Sequence, residues 1–332
     1  MNIYLSNGYL DMKTIIESGF PFIFIAAARG TGKTYGTLRY FYEKHDPIIQ
    51  LRRTQVEADL QSIPDGSSYK KVMDDLQIEF SIRKRGKYSI LTDSDDFGFC
   101  FNMALSTFAS VRGIDFSSID YVFFDEFITE PHVKKIKNEG MALANFYESV
   151  NRNRELEGRK PLQLICAANA VNMANDTFMY FDLIRDAEEM VNNKEDVRIL
   201  GNKLLIIPQN SPISQKKKNT ALYEAVNKEF MEMAINNKFI LNDQTYVKER
   251  PISEYRCLAQ IGVLYLYEHK SERNYYISQK RGKTKNVFPD SYSGLEKARR
   301  SFWRLVARYL DGYITFDSYQ SVVLFEKYFD IL

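Results

Sequence analysis

The chain has 332 residues, enough for two domains, because single hydrophobic cores stop growing near ~250 residues. Its composition, 45% hydrophobic and 27% charged, excludes a disordered chain and a membrane-embedded one. The net charge of +2 is unevenly placed: residues 1–213 carry 25 Lys+Arg against 29 Asp+Glu, and residues 214–332 carry 20 against 14. The C-terminal surplus suits either the phosphates of a nucleic acid or a solvated basic surface. No basic-then-apolar leader follows Met1, so no secretory signal is expected. Cys100, Cys166 and Cys257 are odd in number and far apart, which reads as reduced, buried thiols of a cytoplasmic protein without disulfide or zinc spacing.

In chain order, residues 1–19 form a polar preamble with one short helix over Asp11 to Ser18. Phe22 to Ala28 is an apolar run too short for a membrane span and fits a buried parallel strand. It feeds into Ala27-Ala28-Arg29-Gly30-Thr31-Gly32-Lys33-Thr34-Tyr35, a strand, glycine turn and helix start of the phosphate-binding kind. Glycines let backbone N–H groups approach a polyphosphate, and the helix N-terminus adds free donors. Lys33 is expected on the β- and γ-phosphates of ATP and the Thr34 hydroxyl on Mg²⁺. Ala27 stands where the usual pattern has its first glycine.

A helix follows from Thr34 to Lys44 and ends before Pro47. Ile48 to Leu51 is a short strand, and Arg52-Arg53 at its tip suit phosphate, base or an ion pair with neighbouring acids. Residues 54–76 read as helical, Phe80 to Asp93 as a hairpin about Gly86, and Phe97 to Leu105 as a strand. A small-residue loop carrying Arg112 comes next. Tyr121 to Phe124 ends in Asp125-Glu126: Asp125 would hold Mg²⁺, and Glu126 would polarise the attacking water. The second acid points to the additional-strand, catalytic-glutamate class of P-loop hydrolases and away from a small-molecule kinase.

Residues 133–157 read as a helix ending in Asn151-Arg152-Asn153-Arg154. Its arginines suit either a finger that reaches a neighbour's γ-phosphate or the helix's own C-terminus. Leu162 to Ala168 is a further buried strand, and Asn169 at its tip is either a γ-phosphate sensor or a helix cap.

With A-A-R-G-T-G-K-T, V-F-F-D-E-F, N-R-N-R-E and I-C-A-A-N-A-V in this order, the chain resembles the genome-packaging ATPases of small tailed phages of the phi29 type, distant relatives of large terminases and FtsK/HerA translocases. The resemblance covers the first 200 residues well and the remainder weakly. It implies a ring ATPase, a homo-oligomer expected to be a pentamer, docked on the portal of a prohead and driving double-stranded DNA inward. The same resemblance makes Arg29 the additional loop arginine, Glu126 the catalytic carboxylate, Arg152 the trans-acting finger, Asn169 the coupling sensor and Arg112 a second trans-acting residue. A structural packaging RNA is a further candidate partner, no membrane is expected, and the implied location is the host cytoplasm.

The expected fold class is α/β: an additional-strand P-loop ATPase domain over 1–197, a linker region over 198–228 and a smaller α+β domain over 229–332. Asp186 to Ser214 looks linker-like around a strand at Lys203 to Ile207, and a helix is expected over Leu222 to Asn236. A hairpin of Tyr255 to Tyr267 with Tyr275 to Ser278 is expected before an amphipathic helix around Leu295 to Leu310. In large terminases the second domain is an RNase-H-like nuclease; Leu258 to Tyr267 contains no aspartate, so the resemblance implies a vestigial version of that domain here, without nuclease activity. Lys280 to Lys285 is its best phosphate contact, or else a solvated loop. Alternatives are a helicase-like translocase without a capsid partner, a nucleotide-gated assembly scaffold and a large terminase with an active nuclease.

Overall fold

The computed structural model describes residues 1–110, 113–129, 136, 138–170, 173, 175–217, 220–221 and 246–331. The chain divides into two units, Met1–Phe181 with Glu189–Ile240 and Asp182–Glu188 with Leu241–Leu332. Arg112 and the helix expected over 222–236 lie outside the described residues.

The apolar run after Pro21 becomes β1 (Phe22–Ala26), at the heart of the first unit's sheet. Such a run, apolar at consecutive positions, can only be satisfied by a strand covered on both faces. β1 pairs in parallel with β7 (Gln163–Ala168) on one side and β9 (Lys203–Ile206) on the other. β7 pairs in parallel with β6 (Tyr121–Asp125), β6 with β2 (Ile48–Arg52), and β2 with β5 (Gly98–Ala104). Antiparallel strands complete the edges. The hairpin of β3 (Phe80–Arg85) and β4 (Tyr88–Asp93) adds to β5, and β8 (Val197–Leu200) adds to β9. The result is a nine-stranded mixed sheet, β3-β4-β5-β2-β6-β7-β1-β9-β8.

Helix α1 (Met12–Glu17) turns Met12, Ile15 and Ile16 into the core beside α2 (Lys33–Lys44), where Gly36 leaves room for the Met12 side chain. The helical stretch expected over 54–76 is broken. Helix α3 (Gln55–Gln61), closed by a Thr54–Glu57 capping box, and α4 (Lys70–Leu76) flank a 3₁₀ turn at Pro64–Gly66. Pro64 cannot continue a helix of which it would be an interior residue. Helix α5 (Glu139–Asn151) is shorter than the expected 133–157, part of which lies outside the described residues. It packs on α6 (Asp176–Tyr180) at Gly140, where a side chain would overlap Tyr180. Cys100 and Cys166 are buried free thiols held protonated by burial, and Cys257 is a half-buried free thiol.

The boundary expected at 197 coincides with the first residue of β8. β9 lies within the expected linker 198–228, yet it pairs with β1 over four residues, Phe22 opposite Lys203 to Ile25 opposite Ile206. The linker-like stretch also contains α7 (Ile184–Asn193) and α8 (Pro212–Lys216). Its mixed charges lie mainly on α7 and in the connection from α7 to β8, an outer strand that is largely half-exposed.

In the second unit, β10 (Tyr255–Ile261), β11 (Leu264–His269) and β12 (Tyr275–Ser278) form an antiparallel meander. β13 (Val287–Phe288) pairs in parallel with β10, and β14 (Ile314–Phe316) pairs in parallel with β12. Tyr255, Tyr265, Tyr267 and Tyr276 form an aromatic core cluster. The single helix expected over 295–310 is two, α9 (Tyr292–Ser301) and α10 (Leu305–Leu310), separated at Phe302, whose backbone is non-helical. Helix α11 (Tyr319–Tyr328) buries Val322, Val323 and Phe325. Lys280 pairs with Glu249 at 2.6 Å, so that cation of the basic loop is engaged within its own unit. Among the described residues no helix is long and apolar enough to cross a membrane.

One buried ion pair joins β2 to α5. Arg53, 2% exposed, donates from Nε and Nη2 to the two carboxylate oxygens of Glu139 at 2.6 and 2.9 Å. Burial pushes the Glu139 carboxyl up, and Arg53 opposes this. Removing one member strands the other without its counter-charge. Glu139→Gln should therefore lower stability by about 3–5 kcal/mol in equilibrium urea unfolding. A loss of less than about 1 kcal/mol would put the pair in the class of exposed salt bridges.

Candidate functional site

The C-terminal tips of β1, β7, β6 and β2 lie side by side in the parallel part of the sheet. In such sheets a ligand crevice opens at the strand tips. Here the tips carry the glycine loop, Asn169, Asp125-Glu126 and Arg52 respectively. They enclose a cleft of about 410 Å³ lined by Arg29 to Tyr35, Asp125, Glu126, Ala168 and Asn169.

The loop leaves β1 through buried Ala27 and Ala28 and turns at Gly30 (φ 65°) and Gly32 (φ 90°), left-handed backbone that favours glycine. Ala27 has no positive φ, so the missing first glycine costs the turn nothing. The Thr31 hydroxyl donates to the Ala28 carbonyl at 3.0 Å. Lys33, 7% exposed, donates to the Ala27 and Ala28 carbonyls at 2.9 Å each and to Asn169 Oδ1 at 3.4 Å. Desolvation lowers its ammonium from 10.5 to about 8, against the opposing pull of Asp125, with Lys217 adding to the lowering. A buried ammonium held only by carbonyls and an amide is a strong attractor for an anion.

The Thr34 hydroxyl donates to Asp125 Oδ1 and Oδ2, both at 3.1 Å. A hydroxyl beside a buried carboxylate is a hard-oxygen donor set that fits Mg²⁺, which takes one or two protein ligands and completes its shell with water and phosphate. Neighbouring residues of a strand face opposite ways, yet Asp125 and Glu126 line the same cleft. The reason is local. Glu126 has left-handed backbone (φ 59°) while its N–H donates to the Ala167 carbonyl at 2.7 Å. The turn swings its carboxylate into solvent, 65% exposed, beside the buried Asp125. The two acids therefore have different environments and can take different roles.

Arg52 settles one of the alternatives left by the sequence. It is buried and pairs with Asp125 Oδ2 at 3.0 Å and Glu126 Oε2 at 3.4 Å. Arg53 is spent on Glu139, so neither arginine is placed for a nucleotide base. Tyr35 donates to Asp75 at 2.9 Å and accepts from Arg39 at 3.0 Å at the cleft's edge.

The arginines of the N-R-N-R-E run separate sharply. Arg154 is 2% exposed, pairs with Asp120 at 2.5 Å and donates to the carbonyls of Phe116, Ser117 and Ile119. It is a structural residue. Arg152 is exposed, 3.7 Å from Asp115, and outside the cleft of its own chain. The Asn151 amide accepts from Leu162 N–H at 2.8 Å and donates to Glu155 at 3.2 Å. The structure thus gathers the glycine loop, Lys33, Thr34, Asp125, Glu126 and Asn169 in one cleft and keeps Arg152 away from it.

Residues 7–320 match the family described as podovirus DNA encapsidation protein (Gp16). The chain belongs to that family. A DNA packaging protein of Bacillus phage phi29 is 27% identical over 237 residues, 68% of this chain and 64% of the phi29 protein. The match thus spans slightly less than two thirds of that relative. The fold is similar to that of the Phi-28 gp11 DNA packaging motor, with a TM-score of 0.70, 17% identity, and coverage of 98% of this chain and 99% of that one. It is also similar to the bacteriophage Phi-29 viral genome packaging motor assembly, with a TM-score of 0.68, 22% identity, and coverage of 97% and 99%. At these identities the likeness is one of fold. The phi29-type resemblance read from the four sequence runs is borne out by the family match.

Sequence reasoning left Arg52 open and missed Lys217, which donates to two carbonyls of the glycine loop. The arginine pair at the tip of a strand was the available signal for the first. The second emerges only from the path of the chain after β9. The opposite burial of the two arginines predicts opposite effects. Arg154→Ala should destabilise by about 3 kcal/mol, since it leaves Asp120 and several carbonyls without their donor. Arg152→Ala should leave the melting temperature near that of the parent. Equal melting temperatures for the two variants would contradict this division.

Proposed function

We propose that this chain is an ATP-hydrolysing ring motor that drives double-stranded viral DNA through the portal into a preformed capsid. The observation that carries the proposal is the strand order β6-β7-β1, which brings Lys33, Thr34, Asp125, Glu126 and Asn169 around one cleft in a chain of the encapsidation family. A strand between the loop strand and the acidic strand also supports the additional-strand, catalytic-glutamate subclass.

On this reading the loop N–H groups and Lys33 bind the β- and γ-phosphates. Thr34 and Asp125 hold Mg²⁺, which supplies neutralisation of phosphate charge when bound. Glu126, exposed in the cleft, orients and deprotonates water. Asn169, already within reach of Lys33, reports whether the γ-phosphate is present. Arg152, exposed and outside its own cleft, serves the site of a neighbouring subunit, which makes a ring, expected to be a pentamer, part of the catalytic unit. Arg112 is a further candidate for that role. The second unit is proposed as a vestigial RNase-H-like domain that contacts DNA or portal and does not cut. A structural packaging RNA on the prohead is a proposed partner, and the host cytoplasm is the proposed location.

Turnover measured across protein concentration, with and without long double-stranded DNA, tests this reading. Expected is stimulation by DNA and a rise steeper than linear in protein. Inactive Glu126→Ala and Arg152→Ala chains should complement each other when mixed, because each supplies what the other lacks. Turnover linear in protein and indifferent to DNA would overturn the shared-site motor, and absence of any turnover would favour a nucleotide-gated scaffold. Metal-dependent cutting of plasmid DNA would overturn the vestigial reading of the second unit.

The Lys33 environment gives a second test. Its ammonium is lowered to about 8 without ligand, and a polyphosphate favours the charged form, so the bound state has the higher value. Binding above pH 8 must then take up a proton, and affinity should fall by up to about tenfold per pH unit there. Calorimetry at pH 9 in two buffers of different ionisation heat should register this uptake, and Lys33→Arg should abolish it. Affinity flat from pH 7 to 10 would rule it out.

A further inference from the structure

Phosphate-binding loops work through their backbone N–H groups, and a peptide group points its C=O opposite to its N–H. A donor that holds the carbonyls on the outer side of the loop therefore fixes, and polarises, the N–H groups on the inner side. In this chain three consecutive carbonyls are held in that way. Lys217 Nζ donates to the Arg29 carbonyl at 2.5 Å and the Gly30 carbonyl at 3.2 Å. The Leu10 N–H donates to the Thr31 carbonyl at 3.0 Å. The peptide partners of these carbonyls are the N–H groups of Gly30, Thr31 and Gly32, all residues that line the cleft.

The approach of Lys217 is close. A side chain on Gly30 would displace its Nζ from this position, and the φ of 65° independently favours glycine there. Lys217 caps α8, which comes after β9, the strand paired with β1. Its neighbour Lys216 is spent elsewhere, donating to the Asn7 carbonyl at 3.3 Å, and α8 packs with Pro212 and Ile213 against Gly8. The segment after β9 and the preamble before β1 thus form one outer brace around the loop.

We infer that Lys217 is a positioning residue for the nucleotide site: from outside the cleft it sets the glycine loop so that the loop N–H groups meet a polyphosphate. The inference rests on the nucleotide-site reading proposed for the cleft, and its test is arranged to separate the two.

The experiment compares binding of pyrophosphate and of ADP to the full chain and to Lys217→Met, Lys217→Arg and Lys216→Met, by calorimetry at pH 7.5. Pyrophosphate probes the loop without a base or ribose. Lys217→Met should weaken both ligands by a similar factor, roughly tenfold, the scale of a charged hydrogen bond. Lys217→Arg, which keeps charge and donors, should recover to within about threefold, and Lys216→Met should match the parent. Similar melting temperatures across the set would place the effect in the loop. A parent that binds both ligands and a Lys217→Met that binds them equally well would overturn the brace. Weakening by Lys216→Met equal to that by Lys217→Met would also overturn it, as a general charge effect. A parent that binds neither ligand would overturn the nucleotide-site reading and the brace with it.

Discussion

The spacing of parallel strands sets this site. With β7 between them, β1 and β6 stand two strand spacings apart, roughly 10 Å at the backbone. Held two spacings apart, they are bridged by side chains, the Thr34 hydroxyl reaching Asp125 at 3.1 Å and Lys33 reaching Asn169 on the intervening tip at 3.4 Å. The buried apolar runs of β1, β6 and β7 exist to keep that register, and the functional residues sit at the points where those runs end.

The cleft is also a balance of charges in a place that disfavours charge. Lys33 lies on backbone carbonyls and its ammonium is weakened by burial. Asp125 is neutralised by Arg52 and hydrogen-bonded by Thr34. Glu126 reaches the same guanidinium from the solvent side. A buried carboxylate without a counter-charge would be far more costly than the pair. Arg52 therefore supplies the counter-charge of the buried Asp125, and its hold on Glu126 ties the exposed carboxylate to the buried one.

The sequence makes legible what is local and repeats a known pattern of chemistry. The loop, the acids at the end of V-F-F-D-E-F and Asn169 were readable because each sits at the end of a buried run whose direction was certain. The roles of Arg52, Arg53 and Arg154 were not readable, because an arginine's partner is decided by tertiary packing: Glu139 lies 86 residues from Arg53, and Asp120 lies 34 from Arg154. The strand expected at Lys203 to Ile207 is β9, but β8 and the pairing of β9 with β1 escaped for a related reason. Four-residue strands carry little periodicity, and the partner of β9 is β1, some 180 residues earlier. The break at Phe302 is a backbone event inside an otherwise amphipathic stretch, with no proline or glycine to announce it.

The run N-R-N-R-E is best understood as a mount. Asn151 holds the N–H of Leu162, just before β7, and is itself held by Glu155. Arg154 clamps Asp120 and the carbonyls that lead into β6. Arg152, between them, takes a positive φ of 47° that a non-glycine residue keeps only where its surroundings insist on it. All these anchors are at the starts of β6 and β7, whereas the cleft is at their ends, roughly 15 Å along the strands. An arginine displayed there is rigidly placed and too remote to serve its own cleft. If it acts on a phosphate, that phosphate belongs to another copy of the chain. The same residues that fix the sheet therefore hold Arg152 away from the cleft of its own chain, which is the geometry the proposed finger between subunits requires.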